Sequence, residues 1–415
     1  MGAGGKKSSI VGNHVMGARD YSRHQRGRRK AEEDKEDIGE VDDWGGWGDV
    51  KGGELKTKEV KKARHEEVTY MKGRRIWDER SVEECIQKTG KKPISVRWVD
   101  TNNGTVEEQE TRSRLVARDF KAKDGNRDDL FASTPPLEGL RMLLSKAVAP
   151  SRKRKRNRRK ILLMHARKAH LNPLVEGDVY IELPEEAGAA PGMCVKLVHW
   201  IYGLRPAAQA WENLYAGKLE VAGFERGKGS AVMFYHEGRD ISGLVHGDDF
   251  VFVGDDEDLD WIQGEMVKWF DMKVRGRIGD GKGDQEEMVV LGRSIKWCRW
   301  GLEYKADGAH REKLMKLFGF KGNTSGAATT GQREKEGGEE EELGKLEAKE
   351  YRGGVALLNY YAQDCPEMQF PAKESSRDMA KPKPRSWGKL KRAVRFMVGR
   401  KAVIWKFEMQ EEGQE

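Results

Sequence analysis

The chain has 415 residues, with 77 basic against 69 acidic side chains and a net charge of +8, which at roughly 100–200 residues per domain allows two or three domains with a sizeable core. Hydrophobic residues make up 37% and charged residues 35%, a polar balance that points to folded domains diluted by solvated segments. No run approaches the about 18 consecutive apolar residues of a membrane helix, and the N-terminus has no apolar signal core, so a spanning or secreted protein is excluded and the nucleus or cytoplasm is expected.

Residues 1–70 are rich in Gly, Lys, Arg, Asp and Glu without apolar periodicity, and read as a disordered, charged tail. Order is expected to begin near Ile76. The stretch from Pro93 to Asp100 reads as a strand, Asn102-Asn103-Gly104 as a turn, and Arg112 to Arg118 as a second strand, together an Arg-bearing hairpin. Pro135-Pro136 precedes a helical pattern from Leu137 to Val148. Positions 152–160 (RKRKRNRRK) hold eight basic residues in nine, a surface loop, a nucleic-acid contact or a localisation signal. Ile161 to Met164 and Asp178 to Leu183 read as strands, Trp200 to Leu219 as helical, and Leu259 to Phe270 as an amphipathic helix. Residues 321–350 form an acidic Gly- and Glu-rich linker, and 351–415 close the chain with helical blocks from Tyr351 to Ala362 and from Trp387 to Val398. The four cysteines, Cys85, Cys194, Cys298 and Cys365, lie far apart, so neither a disulfide framework nor a structural zinc site is expected.

The sharpest local feature is Leu244-Val245-His246-Gly247-Asp248-Asp249-Phe250-Val251-Phe252-Val253. Two adjacent carboxylates stand at a Gly-bearing bend between apolar, β-rich runs. Such carboxylates suit a hard cation such as Mg²⁺, although Gly and Asp also favour turns for backbone reasons alone.

Several blocks in fixed order give this box a context. They are Lys92 to Val99, Arg112 to Arg118, Ala166-Arg167-Lys168-Ala169-His170-Leu171-Asn172, Val179 to Pro184, Ile201-Tyr202-Gly203-Leu204-Arg205 with Ala210-Trp211, the His246–Asp249 box, Leu291 to Ile295, and Leu358-Asn359-Tyr360. Together, from about Trp77 to about Trp405, they resemble the reverse transcriptase domain of Ty1/copia-type retrotransposon (retrovirus-related Pol) polyproteins. The resemblance implies an α+β right-hand polymerase of fingers, palm and thumb, with an antiparallel palm sheet backed by helices. Residues 71–320 would form fingers and palm, and 351–415 a thumb or connection segment that stops before any RNase H domain. It implies RNA-directed DNA synthesis on an RNA or DNA template-primer from deoxynucleoside triphosphates, by two Mg²⁺ ions held on three Asp carboxylates. Asp248 and Asp249 match two of these. The third position, where the family reads Asp-Val-(Lys/Arg)-x-Ala, is His165. Arg112 and Arg114 match the fingers strand that contacts the triphosphate, His170 the planar residue beneath the sugar, and Arg152, Lys153, Arg154, Lys155 and Arg156 are candidates for nucleic-acid contact. Imidazole is a poor Mg²⁺ ligand and brings no negative charge, so the two-metal site is expected to be weakened and the polymerase impaired. The alternative is a non-catalytic nucleic-acid-binding remnant of a mobile element.

Overall fold

A computed structural model describes residues 46–47, 54–104, 108–119, 132–150, 159–188, 190–306, 308–331 and 341–410. In chain order the first elements are β1 (Gly46–Trp47), β2 (Glu54–Leu55), α1 (Thr57–Gly73), β3 (Trp77–Ser81), α2 (Val82–Thr89), β4 (Val96–Asn102), β5 (Thr111–Ala117) and α3 (Leu137–Val148). Then come β6 (Lys160–Ala166), β7 (Tyr180–Ile181), β8 (Met193–Leu197), α4 (Ala207–Val221), β9 (Glu225–Arg226), β10 (Met233–His236), β11 (Ile241–His246), β12 (Asp249–Gly254), α5 (Asp256–Trp269) and β13 (Met272–Ile278). The chain continues through β14 (Glu287–Val290), β15 (Arg293–Cys298), β16 (Gly301–Ala306), α6 (Gly308–Leu317), α7 (Lys345–Ala362), α8 (Pro366–Arg377), α9 (Pro384–Met397) and β17 (Ile404–Glu408). The architecture is mixed α/β, and every strand ladder among the described residues is antiparallel.

The central sheet has six strands in the order β13-β6-β12-β11-β10-β9. Its interior strand β6, second from the edge, is apolar on both faces because both faces are covered. Leu162, Met164 and Ala166 pack with Trp211, Tyr215 and Leu219 of α4 and Leu259, Ile262 and Met266 of α5. Ile161 and Leu163 pack on the other side with Leu140, Leu143 and Leu144 of α3 and with Ile295, Leu302 and Tyr304 of a second sheet, β14-β15-β16-β17. Each such side chain contributes about 1.5–3 kcal/mol when fully removed from water. The alternation places His165 on the face of Ile161 and Leu163, at the end of the strand.

The register fixes what His165 meets. In the β6–β12 ladder Asp249 is the Cα partner of His165, Val251 of Leu163 and Val253 of Ile161. β11 and β12 pair His246 with Asp249, so Gly247 and Asp248 form a two-residue turn. Gly247 has φ +62, while Asp248 stays outside the left-handed region. That pattern is a type II′ connection, which asks for glycine at its first position; Gly247 is thus what this turn requires rather than a source of looseness. The turn is tied down on both sides. The Trp211 indole N–H donates to the Gly247 carbonyl at 2.8 Å, and the Ala166 amide donates to the Asp248 carbonyl at 2.7 Å.

Several sequence expectations need correction. α1 occupies part of the stretch assigned to a disordered tail. It carries a stripe of Val60, Ala63, Glu67, Val68 and Met71 against the hairpin formed by β4 and β5, and Arg64 binds Asp100 at 2.7 Å and Glu186 at 3.0 Å. The linker assigned to 321–350 contains the start of α7 at Lys345, and the C-terminal helical segment ends in β17, which pairs with β16. The strand expected over 178–183 is confined to Tyr180–Ile181, and the helix expected from Trp200 begins at Ala207. The remaining tail, residues 152–156 and the acidic run 332–340 lie outside the described residues. Arg159 and Lys160, the end of the basic run, are buried in ion pairs: Arg159 with Asp240, and Lys160 with Asp256 at 2.6 Å and Asp284 at 2.7 Å.

The Arg159 pair anchors the start of β6. Asp240 also receives Lys146 at 3.1 Å and the Tyr235 hydroxyl at 3.1 Å. Burial alone would raise the Asp240 carboxyl, but hydrogen bonds and charge from Arg159 and Lys146 outweigh it and hold its pKa at about 2. The unfolded value is near 3.9. The stabilisation is therefore complete above about pH 4 and is lost as pH falls through the folded value. Asp240→Asn is expected to lower unfolding free energy by about 2–3 kcal/mol at pH 7, with the gap to wild type narrowing between pH 5 and pH 2 in urea titrations; a gap that does not change with pH would refute the assignment. Trp211→Phe removes the bond to Gly247 and is expected to cost about 1–2 kcal/mol. Amide exchange should quicken at residues 246–249 and stay unchanged in α3, and uniform quickening would argue against a local clamp.

Candidate metal centre and nucleotide pocket

Three elements converge at the open end of β6. His165 comes from the strand, Asp248 from the turn and Asp249 from the first position of β12. One donor atom of each lies within 4.8 Å of the others. His165 Nδ1 stands 3.1 Å from Asp249 Oδ1, and its Nε2 stands 3.8 Å from Asp248 Oδ2. An ionised carboxylate only accepts, so with Asp249 as partner Nδ1 carries the hydrogen. The structure thus brings His165 together with Asp248 and Asp249, one acid facing each ring nitrogen.

Positive charge surrounds this group. Arg275 Nη1 lies 3.9 Å from Asp249 Oδ1, and Lys273 is the Cα partner of His165 on the far side of β6. Neither stood out in the sequence, because a Lys-x-Arg spacing in an exposed strand is indistinguishable from ordinary solvated alternation. Asp178 takes no part; it pairs with Lys196 at 2.5 Å.

The donor set is one imidazole and two carboxylates. It fits a divalent cation, since two anionic oxygens and a ring nitrogen converge on one volume. It does not fit the all-oxygen, near-octahedral shell that Mg²⁺ demands.

A second group gathers beside the acids around Tyr202. The Arg114 guanidinium lies 5.8 Å from the Tyr202 ring centroid, and His170 meets the same ring edge-on at 5.3 Å. Burial pushes the His170 imidazole below its ordinary value, the charge of Asp248 pulling the other way, and Arg114 adds to the lowering. His170 is accordingly neutral near pH 7. Burial likewise pushes the Tyr202 hydroxyl up to about 12, with charge effects from Glu67, Arg112, Arg114 and Asp248 following. Arg112, Arg114, His170 and Asp248 thus act on one neighbourhood, and Tyr202 is the member the sequence reading left as an unexplained block residue. Gly203 brings it there. At φ +85 its α-carbon packs so close to β5 that a Cβ would meet the Ala117 carbonyl at 2.2 Å, while the Ala117 amide donates to the Tyr202 carbonyl at 2.8 Å. The turn between β6 and this pocket is braced from α1: Lys168, at φ +48, binds the buried Glu67 at 2.5 Å and lies over the Tyr70 ring at 3.6 Å.

Residues 83–283 match a family described as reverse transcriptase (RNA-dependent DNA polymerase). The match does not include the blocks from Leu291 to Ile295 and from Leu358 to Tyr360. No curated protein matches the chain. Among solved structures, the foamy viral protease-reverse transcriptase in complex with dsDNA is similar at 9% identity and a TM-score of 0.46, over 98% of this chain and 75% of that one. The foamy viral protease-reverse transcriptase dRH in complex with ds DNA is similar at 9% identity and a TM-score of 0.43, over 83% of this chain. This chain spans 49% of the latter's length. At that level of likeness neither structure decides anything about this molecule. No described helix is long and apolar enough to cross a membrane. Residues 83–283 of this chain belong to the reverse transcriptase (RNA-dependent DNA polymerase) family.

Proposed function

We propose that the chain is the polymerase domain of a copia-type retrotransposon polyprotein in which RNA-directed DNA synthesis is impaired by His165. In this reading the six-stranded sheet is the palm, the hairpin of β4 and β5 belongs to the fingers, and α6 to α9 form a thumb or connection. Template-primer and deoxynucleoside triphosphates are its partners, in the nucleus or cytoplasm. Arg112 and Arg114 would face the triphosphate through charge-assisted bonds, and neutral His170 would lie against the sugar.

The observation that carries the reading is the contact of His165 with both acids, at 3.1 Å to Asp249 and 3.8 Å to Asp248. A carboxylate there would complete a three-anion cage. The imidazole supplies no anion and engages Asp249 itself, so Mg²⁺ binding is weakened. A metal anchor stabilises a phosphoryl-transfer transition state by several kcal/mol, and about 1.4 kcal/mol is a tenfold change in rate.

A second reading rests on Arg275. With His165 and Arg275 both on Asp249, the acids are partnered without any ion, as in a remnant that binds nucleic acid and performs no synthesis. One experiment separates the two. Primer extension on poly(rA)–oligo(dT) with Mg²⁺ is expected to rise at least about 100-fold in His165→Asp, with template-primer affinity unchanged in salt-titrated anisotropy. Wild-type extension equal to that of His165→Asp would refute the impairment. Binding without extension in either protein would favour the remnant.

A further inference from the structure

We infer that His165, Asp248 and Asp249 form a site for one borderline transition-metal dication, of the Co²⁺ and Zn²⁺ class, in place of a Mg²⁺ site. The inference rests on the proposed reading of these residues as the counterparts of metal-binding positions. It follows from donor chemistry, spacing and charge.

Donor chemistry comes first. Imidazole nitrogen binds first-row metals increasingly well towards the end of the row, whereas Mg²⁺ prefers oxygen and sheds water reluctantly. Replacing one carboxylate by imidazole therefore lowers affinity for Mg²⁺ and can raise it for Co²⁺ or Zn²⁺.

Spacing agrees. Bonds of about 2.0–2.2 Å in a tetrahedral shell put neighbouring donors about 3.4 Å apart. Only one ring nitrogen can bind a single ion: Nε2 stands 3.8 Å from Asp248 Oδ2 and Nδ1 3.1 Å from Asp249 Oδ1, and one donor atom of each of the three residues lies within 4.8 Å of the others. The two ring nitrogens face different carboxylates. An ion takes one nitrogen, and the other N–H is then left to donate to the facing acid, an arrangement that orients a metal-bound histidine. The backbone that carries the donors is held by the Ala166 and Trp211 bonds to the turn. The side chains of His165, Asp248 and Asp249 are 29%, 52% and 32% exposed, which leaves an open side for water.

Charge points the same way. Arg275 and Lys273 reduce the negative potential at the acids. A hard ion held by charge alone loses more from this than an ion whose bond to nitrogen is partly covalent.

The test uses the full chain after chelation and dialysis. Titration with Co²⁺ alone, followed by visible absorption and calorimetry, is expected to show one ion per chain that Zn²⁺ displaces. His165→Ala should weaken Co²⁺ at least 10-fold and leave Mg²⁺ affinity unchanged within twofold. His165→Asp should lower the Co²⁺-to-Mg²⁺ affinity ratio at least 10-fold, and Asp248→Asn should weaken both ions. Far-ultraviolet spectra and melts confirm that the variants fold; these partly exposed side chains lie outside the core. Co²⁺ affinity unchanged in His165→Ala, Mg²⁺ affinity that falls with it, or no Co²⁺ binding at millimolar concentration overturns the inference. Its failure alongside vigorous primer extension by His165→Asp sinks the transition-metal site alone, whereas a metal result as expected alongside a revertant that never extends sinks the polymerase reading alone.

Discussion

The pairing of β6 with β12 is the constraint on which the site depends. A strand has a side-chain period of two, so a slip of one residue would send His165 and every apolar neighbour to the opposite face. Such a slip is opposed because Ile161 and Leu163 are packed in one core and Leu162 and Met164 in the other, and exchanging them would break the close packing of both. Register is therefore set by the middle of the strand, and the end of the strand receives its geometry without contributing to it.

The surroundings of that end are an electrostatic arrangement rather than a packed one. Two carboxylates, an imidazole, Arg275 and the half-exposed turn share a small volume open to solvent. Behind it lies a drier group, Tyr202, His170 and Arg114, where burial keeps the imidazole neutral and the phenol protonated. In the proposed reading, a neutral His170 would neither oppose nor attract an arriving polyphosphate, and attraction would fall to Arg112 and Arg114 of β5. The α1 helix braces this wall from outside the matched family region, through Arg64 on Asp100 and Glu186 and through Glu67 on Lys168.

What the sequence made legible follows local physics. The bounds of α3, Leu137–Val148, were readable because Pro136 precedes them and apolar residues recur at helical spacing. The Gly-Asp-Asp turn was readable because its glycine is required. α1 was missed although Val60, Ala63, Val68 and Met71 hold a helical stripe, since Lys, Arg and Glu between them lower the mean hydropathy to that of a tail. Two of those charges, Arg64 and Glu67, are satisfied by Asp100, Glu186 and Lys168, which no local window contains. β17 was hidden for a similar reason: its partner β16 lies about a hundred positions earlier, and Trp405, whose indole N–H donates to the Asp364 carbonyl at 2.9 Å, looks in sequence like any helix-flanking aromatic. The side-chain carboxylate of Asp364 takes Arg293 at 3.0 Å and Arg141 at 3.1 Å, a buried junction visible only once the fold is closed.

In the proposed reading, position 165 is one where a change of side chain alters metal binding without registering in the fold. The ring is 29% exposed at a strand end and replaces no core volume. Histidine is tolerated in strands, and its hydrogen bond to Asp249 relieves part of the repulsion that two adjacent carboxylates impose on each other. A carboxylate at the same position would add a third negative charge within a few ångströms, a cost of the order of 1 kcal/mol or more per pair without a cation to offset it. On that reading, the charge balance favours histidine in the metal-free fold, which is therefore expected to be at least as stable with histidine as with aspartate, whereas a Mg²⁺-bound state would favour aspartate.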